Sequence, residues 1–325
     1  VSVPYTIDVR LKPGDVQTQM RADAIAGLQA ATKSIPPVWF YDEHGSQLFA
    51  DITRLPEYYP TRAERHLLEQ HARSIVEMAK ADTLVELGAG ACEKTRVLLD
   101  ALQDLGTLTS YIPFDVSDEF LRGAASSLCA EYEGMAVHLV IGDFNQHLAA
   151  IPTDGRRMVA FLGGTIGNFN PEQRARFLFD LNCTMTSDDS LLLGTDLVKD
   201  RGRLVAAYDD SAGVTADFNR NVLLVLNEQL GGNFDPELFS HVALWNEDEQ
   251  RIEMRLRAKT STEVNLRAAD IRVGFEQGED LLTEISCKFT PERVATELDA
   301  AGFVVDDMWG ADDGEFLLTL AHPYC

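Results

Sequence analysis

From Leu84 to Leu197 the chain alternates short unbroken apolar runs with longer stretches in which apolar residues recur every three or four positions. The runs "TLVELG", "SYIPFDV", "AVHLVIGD", "RRMVAFLGG" and "SLLLGTDL" predict strands buried on both faces, and "EKTRVLLDALQDL", "DEFLRGAASSLCAEY" and "PEQRARFLFDLNCTM" predict the helices between them. That rhythm builds a doubly wound parallel sheet, whose ligand belongs beyond the strands' C-terminal ends.

After Leu197 the period changes. Helical stretches within "RLVAAYDDSAGVTADFNRNVLLVLNEQL" give way to strict alternation: "RIEMRLRAK" puts Ile252, Met254 and Leu256 on one face and Arg251, Glu253, Arg255 and Arg257 on the other, as in a half-exposed antiparallel sheet. Before Leu84, "RADAIAGLQAATKSI" and "GSQLFADITRL" predict helices, broken by Pro36-Pro37 and closed by Pro56 and Pro60, with the aromatic cluster "VWFYDEHG" between them. Thr61 is the expected N-cap of a further helix, with Glu64 completing a capping box. The C-terminal "TPERVATELDAAGF" predicts a helix, followed by a hairpin turning through Gly310 to Gly314 that returns to the parallel sheet's edge.

Composition narrows the partners. Lys+Arg 28 against Asp+Glu 52 gives a net charge of -24, a field that repels polyanions, so no nucleic-acid partner is expected. No stretch approaches the roughly 20 apolar residues of a membrane span, and the first residues lack a basic-then-apolar leader, so no membrane association and a cytoplasmic location are expected. The five cysteines are odd in number and contain no CxxC, and the seven histidines form no ligand pair, so neither a disulfide framework nor a metal is expected.

The most informative stretch is "LVELGAGACEKT". A dinucleotide loop has a third glycine where this chain has Glu93, and an acid in the first helical turn opposes a phosphate at the helix N-terminus. With Glu86 just ahead of Gly88 and Gly90, the loop suits a phosphate-free cofactor with a positive reacting centre, which describes S-adenosylmethionine. Asp115 closes the next strand, where a carboxylate can accept from ribose hydroxyls; Asp143 closes the third, with Phe144 beside it to lie against adenine. Asp115 ahead of "VSDEF" reads equally as a helix cap.

Together, "PPVWFYDEHGSQLFADITRLPEYYPTRAE", "LVELGAGACEKTRVLLDAL", "FLGGTIGNF", "LLLGTDLVKD" and "LLTEISCKF" resemble the histidine-specific methyltransferases of ergothioneine biosynthesis, from about Lys33 to the C-terminal hairpin. The resemblance implies an α/β chain with a seven-stranded Rossmann-like methyltransferase fold. It assigns 62–198 plus 289–325 to the methyltransferase domain, and 9–61 plus 199–288 to an α+β substrate-binding domain. It implies a monomer that trimethylates the α-amino group of L-histidine, through its mono- and dimethylated forms, to hercynine. The implied cofactor contacts are Tyr41, Gly88, Lys94, Asp115, Asp143 and Phe144. Gly163, Thr165, Asn168 and Tyr208 would meet the main-chain groups of histidine, and Tyr58, Glu284 and Ser286 its imidazole, with Met254 near the ring.

The residues themselves go part of this way. Glu284 and Ser286 are two apart in a predicted strand and leave the same face, so a carboxylate and a hydroxyl could address the two ring nitrogens. The same alternation, extended to Lys288, also describes a solvated edge-strand face. Asn168 offers an amide to an amino acid's carboxylate or amine, whereas Asn170 suits the cap of "PEQRARF" better. No side chain stands out as a general base, and water-assisted loss of the ammonium proton is the expected route. Two other readings remain open on the residues alone: a nicotinamide oxidoreductase, which Glu93 disfavours, and a cofactor-binding protein without turnover.

Overall fold

The computed structural model of the protein describes residues 5–11, 14–90, 92, 94–311 and 314–324, without the side chains of Glu119 and Phe120. Glu93 therefore lies outside the described residues. Thirteen strands are present among them, numbered in chain order: β1 Thr6–Val9, β2 Thr83–Leu87, β3 Ser110–Asp115, β4 Ala136–Ile141, β5 Arg157–Phe161, β6 Ser190–Asp196, β7 Phe239–Asn246, β8 Arg251–Ala258, β9 Thr262–Leu266, β10 Ile271–Phe275, β11 Asp280–Cys287, β12 Phe303–Gly310 and β13 Phe316–Pro323.

The chain divides into two compact units, Val1–Leu11 with Pro60–Val198 and Phe289–Cys325, and Lys12–Tyr59 with Lys199–Lys288. The first is built on one sheet in the order β1-β4-β3-β2-β5-β6-β13-β12. Strands β1 to β6 run parallel, and β13 pairs antiparallel with both β6 and β12. Seven of these strands follow the expected plan; β1 adds an eighth at the edge, and its Ile7, with Tyr5 and Leu11 beside it, packs on the core. Four polar-flanked residues carry too short a period to be legible in sequence. Because β2 and β5 are buried at every position, they read as continuous apolar runs with no alternation.

The helix after Pro60 corrects the sequence reading. It begins at Pro60 itself, which has no amide hydrogen to lose in a first turn, so Thr61 is inside the helix rather than its cap. Glu64 is fully buried and makes no capping box, because its carboxylate is used inside the unit. The helices Thr95–Leu105 and Pro291–Ala300 fall where the apolar period put them, and Asn170 forms a capping box with Gln173 at the start of Pro171–Cys183.

One buried ion pair holds the base of this sheet. Arg157 at the start of β5 donates through Nε and Nη2 to Asp189 at 3.2 and 2.5 Å, and its Nη2 also reaches the Thr184 carbonyl at 2.8 Å. Burial pushes the Asp189 carboxyl up, but the hydrogen bonds from Arg157 and from the Thr186 amide outweigh it and hold the group below the usual carboxylate range. Asp189→Ala leaves a buried guanidinium without its counter-charge; we expect a loss of about 3–5 kcal/mol. Differential scanning calorimetry should then show a melting temperature lower by about 6–10 °C.

The second unit carries the antiparallel sheet β11-β8-β7 and the pair β10-β9, with helices Asp15–Leu28, Glu43–Ile52, Arg201–Ala206 and Val214–Leu230. The longest of these buries Phe218, Val222, Leu223, Leu226 and Leu230. The alternation in β8 is real, but its polar face is not simply solvated. Glu253 is 1% exposed, its carboxylate held by Arg251 at 2.8 Å, by Asn246 at 3.0 Å and by Arg255. The long arginine stems fold over it, which a polar-outward pattern does not reveal.

Candidate active site

In the first unit the predicted cofactor residues come from the C-terminal ends of β2, β3 and β4, on one edge because the strands are parallel. Gly88 and Gly90 have φ of 73° and 50°, a left-handed backbone that favours glycine, and turn the chain back after β2. The Gly88 amide donates to the Phe114 carbonyl at 2.8 Å and the Gly90 amide to Asp115 Oδ2 at 2.9 Å, so the glycine turn is tied to the end of β3. Asp115 Oδ1 accepts from the Ser117 amide at 2.9 Å. Ser117, not Asp115, is the N-cap residue of the helix Asp118–Glu131, so the capping alternative does not describe Asp115. Burial raises its pKa, opposed by the amides of Ser117, Gly90 and Val116. Each carboxylate oxygen keeps a lone pair beyond its backbone partner, enough to accept from a ribose diol.

Phe144 is half-buried, and a side chain on Gly88 would begin 3.9 Å from its ring, so the aromatic face lies beside the glycine turn. Phe161, Phe169 and Phe177 brace it at centroid distances of 5.4, 6.3 and 5.9 Å. Asp143 caps the short helix Phe144–His147, accepting from the Asn145 amide at 2.8 Å and from Gln146 Nε2 at 3.1 Å. These groups fit the parts of S-adenosylmethionine: a diol acceptor, a flat ring beside a backbone without side chain, and the half-buried ammonium of Lys94 for a carboxylate.

Two acids in this unit act otherwise than sequence suggested. Glu86 is buried in β2, accepting from Tyr111 Oη at 2.6 Å and from Thr95 Oγ1; burial pushes its carboxyl up to about 7. It ties β2 to β3 and to the following helix, and is engaged with these partners rather than presented as a bare charge near the glycines. Glu64 pairs with Lys94 and accepts the Gly163 amide at 2.6 Å. It thereby joins the loop after β2 to the loop after β5, a role concealed by the 99 positions of chain between Glu64 and Gly163. On β6, a side chain on Gly194 would begin 2.2 Å from Glu64 Oε1, which explains the glycine within that apolar strand.

Gly163, Thr165 and Asn168 follow β5. Gly163 has φ of 78°, Thr165 Oγ1 donates to the Leu162 carbonyl at 2.9 Å, and Asn168 ends the 3-10 helix Thr165–Asn168 with its side chain half-buried. The cap is supplied by Asn170, which leaves the Asn168 amide uncommitted to that helix.

The other predicted residues lie in the second unit. In β11, Glu284 stands opposite Met254 and Ser286 opposite Ile252 of β8, so Met254, Glu284 and Ser286 share one face. The solvated-face alternative fails: Ser286 is 4% and Lys288 0% exposed, and Glu284 is half-buried. Tyr208 Oη donates to Ser286 Oγ at 2.8 Å, and Lys288 Nζ donates to Tyr208 Oη at 3.0 Å and to Ser286 Oγ at 2.9 Å. Burial pushes the Glu284 carboxyl up to about 7, with Lys288 pulling the other way.

Sequence reasoning missed the groups that fix these side chains. His241 on β7 bonds the Tyr208 carbonyl through Nε2 at 2.8 Å and takes the Asn219 amide on Nδ1 at 2.8 Å, which assigns it as a neutral ring; burial lowers its pKa. Asn219 Oδ1 in turn accepts from Thr283 Oγ1 at 2.6 Å, so a continuous chain of bonds runs from Tyr208 to the residue before Glu284. Tyr58 packs edge-on against Tyr208 at 6.2 Å and Phe49 at 6.3 Å, and Phe49 against Tyr41 at 5.7 Å, a row of aromatic faces suited to a cationic ligand. Tyr41, expected among the cofactor contacts, belongs to this unit and not to the one holding Gly88, Lys94, Asp115, Asp143 and Phe144. Among the described residues no group of three or more His, Cys, Asp or Glu side chains could hold a metal ion.

If Asp115 carries the ribose diol, Asp115→Ala should weaken S-adenosylhomocysteine binding by at least about 10²-fold in titration calorimetry, as expected for two hydrogen bonds to a charged acceptor at about 1.5 kcal/mol or more each. Unchanged binding removes that role.

Known proteins are similar to this chain over most of its length. Residues 20–323 match the family model described as "Histidine-specific methyltransferase, SAM-dependent". A Histidine N-alpha-methyltransferase of Mycolicibacterium smegmatis is 56% identical over 93% of this chain and 94% of its own, and one of Mycobacterium tuberculosis is 53% identical over the same shares. Ergothioneine biosynthesis protein 1 of Neurospora crassa is 29% identical over 69% of this chain and 26% of its own length. With the match spanning nearly the whole sequence, the chain belongs to the S-adenosylmethionine-dependent histidine-specific methyltransferases.

Proposed function

We propose that this protein transfers three methyl groups in succession from S-adenosylmethionine to the α-amino group of L-histidine, yielding hercynine, the first step of ergothioneine biosynthesis. The observation that carries the acceptor's identity is the Glu284–Ser286 pair, a carboxylate and a buried hydroxyl on one sheet face, backed by Tyr208 and Lys288. A ring without two polar edges leaves such groups unpaired, which costs far more than a lost apolar contact.

When bound, S-adenosylmethionine supplies an electrophilic methyl on a sulfonium centre. Gly88, Lys94, Asp115, Asp143 and Phe144 hold it, with Tyr41 contributing an aromatic face. Gly163, Thr165, Asn168 and Tyr208 position the main-chain groups of histidine; Tyr58, Met254, Glu284 and Ser286 take its ring. The amine must present a lone pair before each transfer, so the ammonium proton passes to water, and a neighbouring sulfonium charge lowers the amine's pKa. Mono- and dimethylhistidine are then substrates in turn, and the aromatic row tolerates the growing cation.

The reading takes the protein as a cytoplasmic monomer that uses no metal and binds neither nucleic acid nor membranes. A net charge of -24 supports the exclusion of nucleic acid, and no helix among the described residues is long and apolar enough to cross a membrane. The test is to incubate the purified protein with S-adenosylmethionine and each of the twenty amino acids and to follow mass. Histidine gaining three methyl groups is the expected result; cofactor turnover or binding with no methylated histidine overturns the reading.

A further inference from the structure

The His241 side chain on β7 is 3% exposed, and no step of the methyl transfer requires it. Its Nε2 lies 2.8 Å from the Tyr208 carbonyl, which only accepts, so Nε2 carries a proton. Its Nδ1 lies 2.8 Å from the side-chain nitrogen of Asn219. That nitrogen also donates to the Arg255 carbonyl at 3.1 Å, while Asn219 Oδ1 accepts from Thr283 Oγ1 at 2.6 Å. Turning the amide over would set its oxygen against the Arg255 carbonyl oxygen, two acceptors at 3.1 Å, so Arg255 fixes the NH2 towards His241. Thr283 does not oppose the turn, because its hydroxyl also reaches the Met254 carbonyl at 2.9 Å and can donate there instead. Nδ1 must therefore accept. A proton on Nδ1 would meet the N–H groups of Asn219, donor against donor, and the ring and the amide would have to part.

We propose that His241 is a positioning residue that holds Tyr208 and Glu284 in register only while its ring is neutral, so that acid weakens histidine binding through the protein as well as through the substrate. This role rests on the reading that Tyr208 and Glu284 receive histidine. The bonds through His241 and Asn219 join Tyr208 to Thr283, the residue before Glu284. In the sheet, His241 stands opposite Leu256, on the face that carries Met254 and, opposite Met254, Glu284. Burial is the largest influence on the ring and lowers its pKa; the Tyr208 carbonyl, Asp209 with Oδ1 4.0 Å from Nε2, and Asp210 raise it, and Arg220 lowers it. Arg220, on the helix Val214–Leu230, is itself paired with Asp217 at 2.8 Å. Of the remaining charges nearby, Glu284 and Lys288 on β11 share the face of His241, and Arg255 and Arg257 on β8 stand opposite Val242 and Ser240, on the other face. Arg201 and Arg203 of the helix Arg201–Ala206 are exposed. The sign follows: the bridged arrangement is fully present above the ordinary histidine pKa and is lost as pH falls through the lowered one.

The experiment titrates the full chain, carrying isotope-labelled histidine and saturated with S-adenosylhomocysteine, by NMR between about pH 4.5 and about pH 8, with and without unlabelled L-histidine. The signals lost in His241→Gln identify the ring. It should carry its proton on Nε2 at about pH 8 and take up a second one below about 6.5. Bound histidine should lower the ring's proton affinity a further tenfold, roughly, because coupling is reciprocal and protonation weakens histidine binding by the same factor. Asn219→Ala separates this from plain repulsion between the ring and a bound ammonium: with no amide facing Nδ1, the change should shrink to less than about threefold. Asn219→Asp, whose carboxylate accepts from Nδ1–H, should instead raise the ring's proton affinity above that of the native protein. The ratio of native to His241→Gln kcat/KM for histidine, in which titration of the substrate cancels, should fall as pH drops through the native midpoint. S-adenosylhomocysteine binding and thermal melting report folding of each variant. A ring protonated on Nδ1 at about pH 8, a midpoint that bound histidine leaves unmoved, or an equal change in folded Asn219→Ala overturns the proposal, as does a ring that does not titrate down to about pH 4.5. Absence of histidine methylation by the native protein overturns the functional reading instead.

Discussion

Glu284→Ala should lower kcat/KM for histidine by about 10²-fold while leaving S-adenosylhomocysteine binding within about twofold. The magnitude follows from losing a hydrogen bond to a charged acceptor in a site where the ring's N–H has no water to replace it. The selectivity follows from location: Glu284 sits opposite Met254 in the sheet of the second unit, whereas the predicted cofactor residues other than Tyr41 belong to the first. Steady-state kinetics and calorimetry on the same preparation check both halves, and equal losses of histidine and cofactor affinity remove Glu284 from the ring site. The carboxyl is pushed up to about 7, above its ordinary value, so the folded protein prefers it protonated. Its contribution to stability is fully present below the ordinary carboxylate pKa and is lost as pH rises through about 7. Glu284→Gln should therefore gain stability relative to the native chain on going from about pH 5 to about pH 8, measured by urea unfolding at each pH.

The second large effect is expected at Glu64, which no motif marked as functional. Its carboxylate pairs with Lys94 and receives the Gly163 amide, so Glu64→Ala releases two loops at once and leaves the Lys94 ammonium without that partner. S-adenosylhomocysteine affinity should fall about 10- to 100-fold, because the loops must then be ordered at the expense of binding. Gly194→Ala tests the same contact from the opposite side: its added methyl would start 2.2 Å from Glu64 Oε1 and must displace the carboxylate. Both variants should weaken cofactor binding in the same direction. A normal affinity in Gly194→Ala together with a weakened one in Glu64→Ala would mean that the carboxylate has room to move and that only its charge matters.

Much of the first unit is legible in the sequence because its strands are buried on both faces. Continuous apolar runs such as Thr83–Leu87 and Arg157–Phe161, separated by helical periods, leave few other arrangements. The ligand edge is legible for the same reason, since in a parallel sheet every strand delivers its C-terminal residue to one side. Asp115 and the glycine turn could thus be placed together from strand ends alone, and the structure ties them by the Gly90 amide. The acids were not legible. Glu64 reads as half of a capping box, Glu86 as a charge beside the ligand and Glu253 as part of a polar outward face, and each proves to be buried with specific partners, Lys94, Tyr111 and Arg251 among them. A sequence records that a residue carries a charge, but not which distant side chain shares its cost of burial.

What the sequence by itself determined is therefore the periodicity: the strands and helices from Leu84 to Leu197, that their sheet is parallel, that its ligand belongs beyond the C-terminal strand ends, and that Glu284 and Ser286 share a face. These depend on spacing of 2 and 3.6 residues, which is local information. What only the tertiary structure decided is the state of each polar group: that Lys288 meets Tyr208 and Ser286, that His241 and Asn219 hold Tyr208 and Thr283, and that Glu64 bridges Lys94 and Gly163. The reason is that hydrogen-bond partners lie 80, 64 or 99 positions apart along the chain, as in Lys288–Tyr208, Thr283–Asn219 and Gly163–Glu64. Donor and acceptor roles depend on all the partners at once, and only the folded chain assembles them.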